Sequence, residues 1–318
     1  MPGASLPIAS FRVEKGLVVL FGDPPHGSAQ GANEMKSSLV NKSVLVSTIF
    51  AGLIVATTSG SVIAGTPVYI GSRVPTGSRI SMDDVDHAPW NGILKQYVDA
   101  DGFVDYKALK NSSRGLHSLN NYLAKLSSAN PNLAASREGK LAFWINAYNS
   151  VTVHGILREY PTSSIRNHTA RVFGYNIWKD LQLYVGGTPV SLEHIEHQIL
   201  RPMNEPRIHF AIVCASVGCA RLRNEAYVAA DIDQQLSSNT LDFFSRSKNF
   251  RFDPGSNRFH LSAILKWFGE DFGANQSAQL HRVSAWMPTT AAQHAASGGT
   301  ARVSYLAYDW NINDQASR

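Results

Sequence analysis

The 318-residue chain contains only two cysteines, Cys214 and Cys219, which excludes a small fold held together by disulfides. It has no block of lysine and arginine and no basic stripe, so its formal net charge of +5 does not indicate nucleic-acid binding. No internal repeat is visible. The composition, with 44% hydrophobic and 17% charged residues, is that of an ordinary globular protein with a sizeable core.

Several signatures of enzyme sites are also missing. The chain has neither an H-E-x-x-H motif nor a paired C-x-x-C motif, and no glycine-rich phosphate motif. Ser216 lacks the G-x-S-x-G setting of a hydrolase nucleophile. Side chains of zinc-compatible type do occur, but without a ligand motif we predict no metal and no other cofactor, and a zinc hydrolase is the weakest option. Those side chains are His154, His197, His209, Glu196 and Cys214.

The first 64 residues are not typical of a folded domain. Residues 1–34 are rich in Gly, Pro, Ala and Ser, and we expect them to be an upstream extension that is not native to the protein. Residues 35–64 have a basic start, an apolar run and small residues before Gly65, which predicts a cleaved signal peptide. The apolar run is short for a membrane span, so we expect export to the periplasm or the exterior with no stable span after cleavage.

Residues 65–82 are predicted to be a flexible lead, and residues 83–318 a single domain. Residues 138–159 are the strongest helix candidate and are apolar over most of their surface, so we expect this helix to be buried on several sides. Two turns rich in glycine, at 186–187 and 253–255, predict hairpins. The apolar run 208–213 predicts a central strand, and residues 291–300 a low-complexity loop. The predicted fold class is α+β, helix-rich, with a small antiparallel sheet.

Several stretches together resemble the domain-of-unknown-function 547 family, over about residues 84–313. They are Trp90, Tyr97-Val98, Gly102–Tyr106, Ala142–Asn149, Ile195–His197, Ile199–Arg201, His209–Ala211, Cys214–Ser216, Cys219 and Tyr308–Trp310. The resemblance implies an exported or envelope-associated bacterial setting and kinship with papain-like thiol hydrolases. Ala220 and Arg221 stand where the family often has prolines, which affects the expected shape of the loop after Cys219.

Cys214 is the candidate nucleophile, because it follows the predicted strand and has small neighbours. A thiol needs a nearby base or cation to become a thiolate, and His197 and His154 are the candidate bases. Glu196 is a further candidate catalytic residue. It is a poor orienter of His197, because adjacent residues point about 100° apart around a helix.

The long predicted helix carries a line of polar residues. Asn146, Ser150 and His154 follow one another at intervals of four and share one face, with Asn149 beside them. This pattern fits a structural polar network, or the polar wall of a pocket in which Asn146 donates to an oxyanion. Trp144, Asn149, Ser216 and His209 are candidate binding residues, although Trp144 and His209 are also typical of a core.

Two classes of function fit these residues. The first is a thiol-dependent hydrolase or transferase in the cell envelope that acts on a peptide-type amide or a small thiol peptide. The second is a non-enzymatic envelope binding or scaffold domain, in which Cys214 and Cys219 form a structural disulfide that locks their loop. The expected partner is accordingly a small peptide-like substrate or an envelope protein.

Overall fold

The computed structural model describes residues 66–169 and 175–318, which lie around one long buried helix. The predicted upstream extension (1–34) and the predicted signal peptide (35–64) lie outside the described residues. Among the helices that the structure describes, none combines the length and the apolar character needed to cross a bilayer.

The described chain is rich in short helices. The α-helices are α1 (Ala88–Tyr97), α2 (Tyr106–Asn111), α3 (Ser113–Leu126), α4 (Arg137–Glu159), α5 (Ile177–Asp180), α6 (Leu192–His194), α7 (Ile232–Ser245), α8 (Ala263–Trp267), α9 (Gly269–Phe272), α10 (Gln276–Ser284) and α11 (Thr290–Ser297). A π-helical turn, Ile195–Leu200, continues α6. The strands are β1 (Val68–Ile70), β2 (Leu181–Val185), β3 (Thr188–Ser191), β4 (Phe250–Asp253), β5 (Arg258–Leu261) and β6 (Arg302–Tyr305).

The strands form two small sheets of three strands each, in the orders β1-β2-β3 and β4-β5-β6. Both predicted hairpins are present, since β2 pairs antiparallel with β3 and β4 pairs antiparallel with β5. In each sheet the third strand is distant in sequence and pairs in parallel, so both sheets are mixed. The predicted helix-rich α+β class is confirmed.

Helix α4 is the centre of the larger core, as its apolar sequence predicts. Of its 23 residues, 17 are buried. The Ser136 side chain accepts the Gly139 N–H and so caps the first turn, where main-chain donors have no partner within the helix. Helices α2, α3, α6 and α7, strand β2 and the π-helical turn all pack against α4. The buried polar side chains of a helix surrounded in this way can bond only to other buried groups.

A second hydrophobic cluster, made largely of phenylalanines, joins α7, the second sheet and the C-terminal helices. Phe210 is fully buried in it and contacts the rings of Phe243, Phe244 and Phe272, with ring centroids 4.5, 5.5 and 5.7 Å away. The loop at residues 214–219 begins four residues after Phe210, and residues 211–213 before it belong to the larger core, so this loop starts between the two cores.

The predicted strand at 208–213 is wrong. Residues Pro206–Phe210 form a 3-10 helix, begun by the proline and capped by the side chain of Glu205. The segment that follows is buried, as its apolar residues suggest, but it pairs with no strand in the part of the chain that the structure describes. Instead the Asn149 side chain donates to the Ala211 carbonyl (3.0 Å) and accepts the Val213 N–H (2.9 Å). An asparagine of α4 therefore supplies the hydrogen bonds that a sheet would otherwise provide.

Two further segments differ from the sequence predictions. The predicted loop at 291–300 is wrong, because Thr289 caps helix α11 with its side chain and the alanines that follow favour a helix. Within the predicted flexible lead, β1 pairs in parallel with β2, from Val68 opposite Leu181 to Ile70 opposite Leu183. The described fold thus includes this strand.

The amide clamp at Asn149 leads to a prediction about stability. We expect Asn149→Leu to leave a buried carbonyl and a buried N–H without partners, and to lower the free energy of unfolding by about 3 kcal/mol. Denaturant unfolding of the described domain measures this change. Asn120→Leu, on the exposed side of α3, is the matched control and should change stability little. Equal effects of the two substitutions would contradict the clamp.

Candidate functional site

The loop at residues 214–219, here called the cysteine loop, is held by the C-terminal segment of the chain. Three main-chain hydrogen bonds join them: Asn313 N–H to the Ala215 carbonyl (3.1 Å), Val217 N–H to the Asn311 carbonyl (2.8 Å) and Gly218 N–H to the Asp309 carbonyl (2.8 Å). Since these bonds span almost the whole length of the loop, its two cysteines have fixed positions relative to residues 308–313.

The backbone of the cysteine loop is tightly constrained. Ala215 has a positive φ of 58°, which is unfavourable for a residue with a Cβ atom and is often found at functional sites. At Gly218, a Cβ atom would lie 2.9 Å from both the Asp309 nitrogen and a ring carbon of Tyr308. Only glycine therefore lets the C-terminal segment approach this closely.

The two cysteine sulfurs lie next to each other. Their Sγ atoms are 2.7 Å apart, and both are free thiols. Cys214 is partly exposed, whereas Cys219 is buried at 5% exposure. The Tyr308 hydroxyl lies 3.2 Å from the Cys214 sulfur and 3.0 Å from the Cys219 sulfur, and the Ser216 hydroxyl lies 3.1 Å from that of Cys214. Two hydroxyl groups thus face this cysteine pair (Cys214 and Cys219).

These contacts favour one negative charge on the cysteine pair. Burial opposes ionisation of Cys219, but the Cys214 thiol, the Tyr308 hydroxyl and the Cys214 main-chain N–H all stabilise its thiolate. Together they lower the pKa of Cys219 to about 6. The hydrogen bond to Cys219, with burial, raises the pKa of Cys214 well above its usual value. The cysteine pair therefore loses its first proton easily and its second with difficulty.

Tyr308 is itself fixed by a group of aromatic rings. Its ring centroid lies 4.8 Å from that of Trp267 and 4.5 Å from that of Trp310. The guanidinium of Arg166 stacks on Trp310 at 5.1 Å. Because the ring cannot move freely between its neighbours, the Tyr308 hydroxyl stays directed at the two sulfurs.

Glu196 is a buried carboxyl group near the cysteine pair. It lies in the π-helical turn, and its Oε2 accepts a hydrogen bond from the Tyr148 hydroxyl at 3.1 Å. Burial raises its pKa to about 7, against the lowering effect of the Tyr148 hydrogen bond, and the nearby Cys219 raises the pKa further. At neutral pH this carboxyl therefore holds a proton for much of the time.

The structure does not bring either candidate base to the cysteine pair. His197 is bonded through Nδ1 to Arg201 (3.1 Å), and burial lowers the pKa of His197. Burial lowers the pKa of His154 to about 4, and its Nδ1 has no hydrogen-bond partner among the residues described. Within the described ranges, neither sulfur is hydrogen-bonded to an imidazole.

His209 belongs to a separate ionic cluster. Its Nε2 lies 2.7 Å from Asp271, and its ring stacks on Phe268 with centroids 4.2 Å apart. Arg201 donates to both carboxylate oxygens of Asp271, at 2.7 and 2.9 Å, and also pairs with Glu270. The hydrogen bonds from His209 and Arg201 hold the pKa of Asp271 well below its usual value, despite burial. This arrangement fits a structural role for His209.

The other predicted site residues on α4 are structural in their contacts. Asn146 is fully buried and exchanges two hydrogen bonds with the main chain of Tyr227, at 2.7 and 3.0 Å. Asn149 clamps the segment that leads into the cysteine loop. Trp144 is buried and packs edge-to-face on Phe143, with centroids 4.9 Å apart. Of the predicted residues, the structure thus brings Cys214, Cys219 and Ser216 together, with Glu196 near them.

Sequence reasoning missed Tyr308 and Tyr148 as members of the site. Tyr308 stands in one of the stretches that carry the family resemblance, so a signal for it was present. Tyr148 lies within the resembling stretch Ala142–Asn149 on α4, where its neighbours suggested a core position. Their hydroxyl groups become relevant only when the fold brings them to Cys214, Cys219 and Glu196.

Two clefts open on the described surface. One, of about 720 Å³, lies against the cysteine loop and includes Val217, Asp309 and Asn311 in its wall. The other, of about 540 Å³, lies near the start of α1, and neither cleft is lined by Cys214 or Cys219. Over residues 66–169 and 175–318, no three His, Cys, Asp or Glu side chains converge in a way that could hold a metal ion.

Comparison with known proteins bears on residues 133–244. They match the model of the family described as protein of unknown function, DUF547. This match confirms the family resemblance over these residues, here called the DUF547 segment. The DUF547 segment contains both cysteines, Ser216, Glu196 and Tyr148, whereas Tyr308 comes from beyond its end. No curated protein matches the chain, and no solved structure matches it.

The hydroxyl of Tyr308 provides a test of the thiolate. We expect Tyr308→Phe to raise the first pKa of the cysteine pair by about one unit, because it removes a hydrogen bond to a charged sulfur. Ultraviolet titration of the reduced protein measures thiolate directly, and the chain has no other cysteine. Tyr305→Phe, on the exposed strand β6, is the control and should leave the titration unchanged. A titration identical in both variants would show that Tyr308 does not stabilise the thiolate.

The ionic cluster predicts an acid-sensitive stability. The pKa of Asp271 is lower in the folded than in the unfolded chain, so its contribution is present above about pH 4 and is lost as the pH falls below that. We expect Asp271→Asn to lower the free energy of unfolding at pH 7 by about 2 kcal/mol and to flatten its decline in acid.

Denaturant unfolding between pH 7 and pH 2 measures both effects. Asp84→Asn replaces an exposed carboxylate and is the control. If the two variants showed the same dependence on pH, the cluster would not be the source of the acid sensitivity.

Proposed function

We propose that the cysteine pair is a centre for thiol–disulfide exchange with a small thiol peptide. The observation that carries the proposal is the pairing of a partly exposed cysteine with a buried one, with one negative charge favoured between them. A partly exposed cysteine can attack a substrate, and a buried neighbour can complete the reaction. Ser216 and Tyr308 would stabilise the charge on either sulfur.

The reaction takes place in two displacements. A proton first passes from Cys214 to Cys219 across the contact between the sulfurs, and the Cys214 thiolate attacks one sulfur of the substrate disulfide. The substrate S–S bond breaks, and the first peptide leaves as a thiolate that takes the proton of Cys219. The Cys219 thiolate then attacks the sulfur of Cys214, the mixed disulfide breaks and the Cys214–Cys219 disulfide closes. The second peptide leaves as a thiolate, which takes a proton from outside the cysteine pair. The substrate gains two electrons, which the cysteine pair loses.

Exchange fits the geometry better than papain-like hydrolysis of an amide. A thiol hydrolase uses an imidazole to accept the thiol proton and to donate it to the leaving amine. Among the described residues, no imidazole is bonded to the sulfurs, and His197 is engaged with Arg201. A leaving thiol needs much less help from an acid than a leaving amine does, so a site without histidine suits exchange.

The setting we propose for this activity is the cell envelope, after export. The support is the predicted signal peptide at residues 35–64. Thiol pairs in oxidising compartments are commonly oxidised or exchange with other disulfides. The alternative in that setting is a permanent structural disulfide between the same two residues.

Trapping of the intermediate tests the proposal. The reduced protein is mixed with oxidised glutathione as the probe, and the products are identified by mass spectrometry. We expect the wild type to release two thiols and to lose two hydrogens. We expect Cys219→Ser to stop as a glutathione adduct on Cys214, and Cys214→Ser to form no comparable adduct, because the remaining sulfur is buried.

Three outcomes would overturn exchange. One is a wild type that releases no more thiol than the variant with both cysteines replaced by serine. Another is a purified, oxidised protein that excess reduced glutathione fails to open without unfolding, as a structural disulfide would behave. The third is cleavage of an amide probe that needs Cys214 but continues in Cys219→Ser, which would favour the hydrolase instead.

A further inference from the structure

We propose that Glu196 is the proton partner of the cysteine pair, protonated while the pair is reduced and ionised when the pair is oxidised. This inference rests on the proposed exchange function and adds the source of a proton to it. The structural basis is the position of Glu196. Glu196 is only 9% exposed and lies on a π-helical turn. A charge on Cys219 raises the pKa of its carboxyl group. Turns of this kind are frequent at functional sites.

The contacts of Glu196 favour a neutral carboxyl group. Its hydrogen bond comes from the uncharged Tyr148 hydroxyl, and no ion pair of Glu196 occurs among the described residues. The charged and titratable groups that act on it are Tyr148 from α4, Cys219 from the cysteine loop, and Arg201 and Asp271 from the ionic cluster. The guanidinium of Arg201 is bonded to Asp271, Glu270 and His197 instead. A buried carboxyl that forms no ion pair retains its proton to a higher pH.

The charge on the cysteine pair links this proton to oxidation. While the pair is reduced, a thiolate lies near Glu196 and opposes its ionisation. When the disulfide forms, that negative charge disappears, and Glu196 ionises more easily. The removal of one negative charge near a buried acid lowers the pKa of that acid. At a pH between its pKa values in the reduced and the oxidised protein, the acid therefore releases a proton.

The proton released by Glu196 completes the balance of the exchange reaction. The reduced site holds one thiol, one thiolate and one carboxylic acid. Reaction with a peptide disulfide gives the protein disulfide, one carboxylate and two peptide thiols. One product proton comes from the thiol and the other from Glu196, and the total charge is −1 on both sides. Without Glu196, the second proton has to come from the solvent.

Counting protons tests this inference independently of the peptide substrate. The reduced protein is oxidised with diamide in weakly buffered solution between pH 5 and pH 8, and the proton uptake is followed with an indicator dye. Disulfide formation by this azo compound consumes one proton when the cysteine pair starts with one thiol and one thiolate. No other thiol contributes to the proton count, because Cys214 and Cys219 are the only cysteines of the chain.

We expect the wild type to take up fewer protons from the solvent than Glu196→Gln does. The difference should approach at most one proton, and should be largest below pH 7 and above the ordinary pKa of a glutamate, 4.5. Glu193→Gln replaces a half-exposed glutamate just before the same turn and is the matched control, which should behave as the wild type. Equal proton uptake by the wild type and Glu196→Gln at every pH would overturn the inference.

A second variant keeps the test decisive if Glu196→Gln folds poorly. Tyr148→Phe removes the hydrogen bond that lowers the pKa of Glu196, so the upper limit of the pH range with a proton deficit should move to higher pH. An unchanged range would count against Glu196. The results also separate the two proposals, because a proton deficit with diamide and no reaction with oxidised glutathione would support Glu196 while rejecting exchange with peptides.

Discussion

The structure depends on how helix α4 satisfies buried main-chain groups. The chain at residues 211–213 crosses the core without pairing with any strand that the structure describes, and its polar groups would be costly if they were left without partners. Asn149 serves one carbonyl and one N–H of this segment, and Asn146 does the same for Tyr227. Because amide side chains both donate and accept, two asparagines of one buried helix fix the path of two segments. One of these segments leads directly into Cys214.

The second constraint acts on the other side of the cysteine loop. The C-terminal segment binds the loop through its main chain and brings in Tyr308, a residue 94 positions from Cys214 in the sequence. Gly218 permits the close approach, and Ala215 adopts a positive φ to direct Cys214 and Ser216 towards the same hydroxyl group. The site is therefore assembled from the DUF547 segment and from a part of the chain beyond it.

The sequence predicts the elements that rest on local patterns. The apolar periodicity of α4 and the glycine turns of the two hairpins are strong signals, because helix faces and tight turns depend on nearby residues. The apolar run at 208–213 shows burial but not the partner of its main chain, which here is a side chain distant in sequence. Residues 291–300 lack a strong apolar stripe, so the sequence pattern does not indicate a helix. The helix propensity of the alanines and the Thr289 cap make this segment helical.

Residue types alone predicted part of the site. Cysteines separated by four residues can meet across a short loop, and here their sulfurs lie 2.7 Å apart. The choice of a histidine as the base depended on distances that the sequence does not contain. Adjacent positions on a helix point in different directions, so the sequence already indicated that Glu196 does not orient His197. In the structure, Glu196 is bonded to Tyr148 and His197 to Arg201. Long-range contacts of this kind come from packing and cannot be inferred from spacing.

The distribution of charge around Arg201 explains why a carboxyl group can lie near a thiolate. Arg201 gives its guanidinium to Asp271 and Glu270, and Glu196, on the preceding turn, has no ion pair among the described residues. If Arg201 were paired with Glu196 instead, the carboxylate would be ionised at neutral pH and would repel a second negative charge on Cys219. The ionic cluster therefore favours the thiolate indirectly, by keeping Arg201 occupied. The buried Glu196 and the partly exposed Asp271 thus differ because Arg201 forms its ion pair with only one of them.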